Sequence, residues 1–201
     1  MASVPTKDNV WSFAVEYFRL FRSGLRNTAL RTPPAASQYN AKLSTMREAM
    51  VPDVVFNAGR GVEALLKNWM CVSLRLEDVE VELDEIKKGP ADSLLASSTT
   101  SVTIQGRALR SVFPHLCVDN VDPPLARKLL GQRIHMNSWT RFEWDSTVGK
   151  VTSVTSTTDL LTPMLQLVGS VENVSRVFEG ALISPNFEWR SCINPPWRPQ
   201  L

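Results

Sequence analysis

The chain has 201 residues, enough for one domain with tails and a sizeable core. Its hydrophobic share of 43% and charged share of 21% are ordinary for a globular protein. The 22 basic and 20 acidic residues leave a net charge of +2, too close to balance to argue for nucleic acid as a partner.

Met1 to Lys7 has no apolar run of the secretory-signal kind, and we read it as a flexible N-terminus. From Asp8 the pattern is helical. Val10, Ala14, Tyr17, Phe18, Phe21 and Leu25 fall on one face, with Asp8 as N-cap and Gly24 as end signal. So many aromatics predict a helix set deep against another layer. Leu30 to Ser37, with Pro33-Pro34, reads as a break. A second helix carries Tyr39, Leu43, Met46 and Met50 and ends at Pro52. A short extended piece, Asp53 to Asn57, and a turn at Gly59-Arg60-Gly61 follow. Val62, Leu65, Leu66 and Trp69 then mark a third helix.

After Ser73 the period changes to two. Val79, Val81 and Leu83 alternate with Asp78, Glu80, Glu82 and Asp84, which predicts a half-buried strand with an acidic outer face. The turn Lys87 to Asp92 leads to a second strand, Ser93 to Ile104. Gln105-Gly106 reads as a bulge or bend before Leu109 to Phe113, and Cys117 to Leu125 as a surface loop. Arg133 to Trp144 is a strand. One parity holds Ile134, Met136, Phe142 and Trp144; the other holds His135, Trp139, Arg141 and Glu143. Lys150 to Thr158 is a β-branched strand. Thr162-Pro163 opens one short helix and Ser170 caps another. The domain is expected to span 8–183. Residues 184–201 form a tail with Trp189, Trp197 and several prolines, irregular and either docked or disordered. Helices and strands are segregated, which predicts an α+β fold with N-terminal helices packed on a highly curved antiparallel sheet.

The order of these elements resembles the nuclear transport factor 2-like, or polyketide-cyclase-like, superfamily over roughly residues 8–170. The quoted features are the aromatic first helix, Met50-Val51-Pro52-Asp53-Val54-Val55-Phe56, and Gly61 to Leu66 with Trp69. Other stretches resemble the C-terminal region of oomycete basic leucine zipper proteins: Phe56 to Gly61, Val112 to Leu116, Leu130 to Ile134, Arg141 to Asp145 and Leu161 to Leu165. The second resemblance implies an accessory domain of presumed transcription factors, and a nuclear location. No basic region before a heptad series is present, so no DNA contact carries over to any residue here.

Tyr17, Phe21, Asp53, Trp69, Met136 and Asp159 are the candidates for lining a ligand pocket. Asp53 and Asp159 have helix capping or turn formation as the competing reading. His115 and His135 are the only histidines. His115 falls in a loop and His135 on an outward parity, so no catalytic residue is assigned. His135, Trp139 and Arg141 form a candidate dimer surface, since exposed aromatic and Arg side chains suit interface cores. Cys71, Cys117 and Cys192 are odd in number and widely spaced, which argues for reduced, intracellular thiols and against a disulfide scaffold or zinc site. Neither a metal nor another cofactor is expected, nor a membrane span. The partners expected are a second copy of the chain and a small apolar ligand. The primary expectation is a non-catalytic domain for ligand sensing or dimerisation. The alternatives are a small-molecule cyclase, dehydratase or isomerase, and a DNA-binding regulator by family name only.

Overall fold

The computed structural model describes residues 8–25, 33–57, 59–76, 78–117 and 123–190. The expectations for the N-terminus 1–7, the loop around Asp119 to Asp122, Cys192 and the tail beyond Arg190 lie outside these residues. So do the capping role of Asp8 and the side chain of Tyr39.

Helices α1 (Asp8–Phe21) and α2 (Pro33–Ala49) precede strands β1 (Met50–Phe56) and β2 (Gly59–Arg60), then helix α3 (Val62–Arg75). The hairpin β3 (Glu80–Lys88) and β4 (Ser93–Thr103) follows. Two short helices, α4 (Gly106–Val112) and α5 (Pro123–Leu129), lead to the long strands β5 (Arg133–Asp145) and β6 (Lys150–Thr158). Helices α6 (Leu161–Val168) and α7 (Val171–Glu179) close the order. The fold is α+β, as the segregation of patterns predicts. Six strands form one sheet in the order β2-β1-β6-β5-β4-β3, and every neighbouring pair is antiparallel except β1 with β6. Register shifts at Leu83/Glu85, at Glu143/Trp144 and between Met50 and Val55 bend the strands.

The expected parity of β5 holds. Ile134, Met136 and Phe142 are buried, while His135 and Trp139 are exposed. Phe142 meets Phe13, Tyr17 and Phe18 in edge-on contacts, with centroids 5.3–6.2 Å apart. The first helix therefore lies in the concavity of the sheet, where its aromatic face predicts it. Gly24 ends that helix region at φ 61°, and a Cβ there would collide with Ser73, whose hydroxyl accepts the Leu25 N–H at 2.7 Å. The adjoining Arg22 carbonyl accepts the Val81 N–H at 2.7 Å and so covers part of the β3 edge. The acidic face of β3 is held to its neighbours: Arg133 bridges Asp78 and Glu80, at 2.9 Å each.

Five expectations change. Helix α2 ends at Ala49, so Met50 and Pro52 belong to β1 and not to the helix. Pro33-Pro34 starts α2 rather than interrupting the chain, because the first helical positions need no backbone N–H. Pro123 starts α5 the same way, inside the segment read as loop. Gln105-Gly106 is not a bulge or bend but the start of a helix over residues 106–112, in which Ala108, Leu109 and Val112 bury one face at helical spacing. The helix α6 begins at Leu161, so Thr162 and Pro163 lie within its first turn. Ser170 caps α7 as expected, accepting the Asn173 N–H.

Candidate functional site

A cavity of about 460 Å³ opens beside α3, between the sheet and the last described segment. That volume suits a small organic ligand. Tyr17, Phe56, Trp69, Phe187 and Trp189 supply aromatic walls. Thr100, Ser156 and Thr158 supply a hydroxyl-bearing floor.

The floor arises from an interruption in the core face of the central strands. Between Met136 and Phe142, β5 places Ser138 and Thr140 on the buried side. Thr100 and Thr158 both contact the Ser138 hydroxyl, at 3.0 and 2.9 Å, and Thr140 pairs with Ser156 at 3.0 Å. Hydroxyls both donate and accept, so this network satisfies itself while leaving hydrogens free to reorient. Asn57 closes one end. It sits at φ 41°, and its amide donates to the Ser156 carbonyl at 2.9 Å and accepts the Ser156 N–H at 2.8 Å.

The far wall comes from the segment after α7. Ile183 pairs with Trp189, Ser184 N–H bonds the Glu188 carbonyl, and Leu160 N–H bonds the Pro185 carbonyl. Arg75 lies over the Trp189 ring, 5.3 Å from its centroid. The described part of the tail is thus docked, one of the two states allowed for it.

Two of the six predicted pocket residues reach this cavity. Tyr17 is 2% exposed, and its oxygen accepts the Trp69 indole N–H at 3.1 Å. Burial pushes the Tyr17 phenol well above its ordinary pKa, so it stays neutral. Phe21 stacks on Trp69 from behind, with centroids 4.8 Å apart. Met136 is fully buried in the core and does not line the cavity. Asp53 is exposed on β1. Asp159 accepts the Thr162 N–H at 3.0 Å in the first turn of α6, and the Thr162 hydroxyl and N–H hold its pKa below the usual carboxylate value. Capping is what Asp159 does. Asp159→Ala is expected to cost about 1 kcal/mol in urea unfolding at neutral pH. The depressed carboxyl stabilises the fold above its unfolded pKa. The gap from wild type therefore closes as pH falls through the lower folded value. A gap independent of pH would exclude this capping role.

The three dimer-surface candidates share the outward face of β5. His135 contacts the Ser101 hydroxyl through Nδ1 at 2.8 Å, Trp139 is 52% exposed, and Arg141 pairs with Glu143 at 3.1 Å. The Arg141 Nε is buried without a hydrogen-bond partner. His115 is elsewhere, its Nε2 donating to the Arg176 carbonyl at 3.0 Å. Among the described residues no three His, Cys, Asp or Glu side chains are placed to hold a metal. Nor, among them, is any helix long and apolar enough to cross a membrane.

A helix-filled α+β cone with a cavity at its side is the class these features define. Residues 11–75, about a third of the chain, match the family model of the BZIP transcription factor 1 C-terminal domain. This supports the leucine zipper-related resemblance over that segment. No curated protein matches the chain. Among solved structures, TsrD from Streptomyces laurentii is 14% identical with a TM-score of 0.50, over 83% of this chain and 98% of that one. A protein assigned as a SnoaL-like polyketide cyclase from Jannaschia sp. CCS1 is 17% identical, TM-score 0.48, over 85% and 97%. An NTF2-like protein of unknown function from Exiguobacterium sp. 255-15 is 10% identical, TM-score 0.46, over 73% and 97%. At these identities the likeness is one of fold, the cone type expected of the nuclear transport factor 2-like superfamily.

Proposed function

We propose that the chain is a non-catalytic accessory domain for ligand sensing or dimerisation, of the kind carried by basic leucine zipper transcription factors. One observation carries this reading: the cavity pairs aromatic walls with a hydroxyl floor and holds no convergent acid and base. Among the described residues its lining includes neither histidine nor aspartate, and the carboxylate there, Glu188, is exposed on the tail segment. Tyr17 is held neutral by burial. General acid-base work needs a tuned donor and acceptor within reach of one substrate. The cyclase, dehydratase or isomerase reading has a common fold behind it and no such set. The match over residues 11–75 supports the transcription-factor association and, through it, a nuclear location.

For the dimerisation arm, exposed Leu95 and Trp139 flank half-buried Arg141; Leu95 stands opposite Arg141 in the β4–β5 register. Trp139→Glu is expected to shift a dimer toward monomer in analytical sedimentation, because it buries a charge where an aromatic anchor sits. A mass unaffected by the substitution would remove this patch as the interface.

A further inference from the structure

Resting on the ligand-sensing arm of that reading, we infer that the cavity takes a flat aromatic carboxylate. The buried lining atom that lacks a partner among the described residues is a hydrogen-bond donor. Trp189 presents an indole N–H that is buried and lacks a partner. Trp69 spends its N–H on Tyr17, but the phenol's own hydrogen has no acceptor among the described residues. A Trp N–H can only donate, and a phenol whose oxygen already accepts one bond has its hydrogen left to give. Leaving two such donors unmet is costly, and an oxygen acceptor entering the cavity removes that cost. The Asn57 amide is held in place by its two bonds to the Ser156 backbone, with one N–H and one lone pair left over.

The mouth has the matching charge. Lys67 on α3 is exposed and has no ion-pair partner among the described residues; Arg190 also lines the cavity and donates one N–H to the Phe178 carbonyl at 3.0 Å. Two cations against Glu188 favour an anion. The aromatic walls favour a planar body that stacks without losing rotamer freedom. Together these select a carboxylate on a one- or two-ring aromatic frame over a neutral or cationic ligand of the same shape. The hydroxyl floor tolerates ring substituents of either polarity, because each hydroxyl can turn donor or acceptor.

The test is calorimetric titration with naphthoate, naphthol and naphthylmethylammonium, which share a ring system and differ in charge. Naphthoate is expected to bind at least about tenfold more tightly than the other two. Lys67→Gln, a surface change, should weaken naphthoate about threefold and leave naphthol unchanged. Tyr17→Phe should weaken naphthoate about tenfold. Because Tyr17→Phe also strips an acceptor from Trp69, Trp189→Phe provides a second reading of the same donors. Equal binding of naphthol and naphthoate, or preference for the ammonium, overturns the carboxylate assignment while the ligand-sensing reading stands. Absence of heat with all three, in a protein whose urea unfolding is cooperative, overturns both the carboxylate and the ligand-sensing arm. Dimerisation is then tested separately by sedimentation.

Discussion

Phe142→Ala is expected to lower unfolding stability by about 4 kcal/mol, which for a domain of ordinary stability removes a large part of the total. Phe142 is fully buried on the core face of β5, and its ring meets Phe13, Tyr17 and Phe18 of α1 edge-on. Truncation loses both the transfer free energy of the ring and the contacts lining the void it leaves. The neighbours are ill suited to collapse into that void. Tyr17 is tied to Trp69 by a hydrogen bond, and Phe21 is stacked on the same indole in nearly parallel planes, 6° apart. Phe142→Leu keeps most of the volume and should cost about 1–2 kcal/mol. Both are read from urea midpoints with the denaturant slope unchanged. A loss below about 1 kcal/mol for the alanine variant would mean that α1 is not anchored in the sheet's concavity.

That anchoring was legible in the sequence because both sides of it obey a period. The aromatic face of α1 repeats at helical steps, and β5 alternates cleanly from Ile134 to Phe142. Proline pairs are less legible: a residue that stops a helix also starts one, and Pro33 and Pro123 both start helices, in segments whose composition reads as a break and as a loop. The cavity was legible only in part. Tyr17 and Trp69 follow from helical phase. The tail residues Phe187 and Trp189 do not, since an irregular segment has no period and its docking depends on long-range contacts with Arg75 of α3 and with Leu160. The hydroxyl floor has its own sequence signal. Counting the parity of β5 through Ser138 and Thr140 puts two small polar residues on an otherwise apolar face, and buried hydroxyls at such a site need partners. Asp53 is a pocket candidate through its family-like segment and Asp159 through its place after a strand end; Asp53 is exposed on β1, and Asp159 bonds the first turn of α6, its competing reading.

The second large effect is expected at Asn57. Asn57→Ala should cost about 3 kcal/mol. Two hydrogen bonds to the Ser156 backbone are lost, each worth about 1 kcal/mol, and alanine tolerates the left-handed φ of 41° less well than asparagine by about the same amount. Asn57→Gly separates the terms. It removes the same two bonds but accepts the backbone conformation, so it should recover roughly 1 kcal/mol relative to alanine, less what its extra unfolded-state freedom takes back. Asn57→Asp tests the geometry by charge. A carboxylate still accepts the Ser156 N–H but sets its second oxygen against the Ser156 carbonyl. Protonation converts that oxygen to a donor and restores the pair. This variant should therefore gain stability relative to Asn57→Ala as pH falls through the carboxylate range, opposite in sign to the behaviour at Asp159. Identical losses for alanine and glycine would assign the whole effect to the hydrogen bonds. A pH-independent gap between the aspartate and alanine variants would mean that the amide does not clamp β6. The clamp also bears on binding. Ser156 belongs to the cavity floor, so loosening its backbone should weaken naphthoate in the glycine variant even though the Tyr17 and Trp189 donors remain.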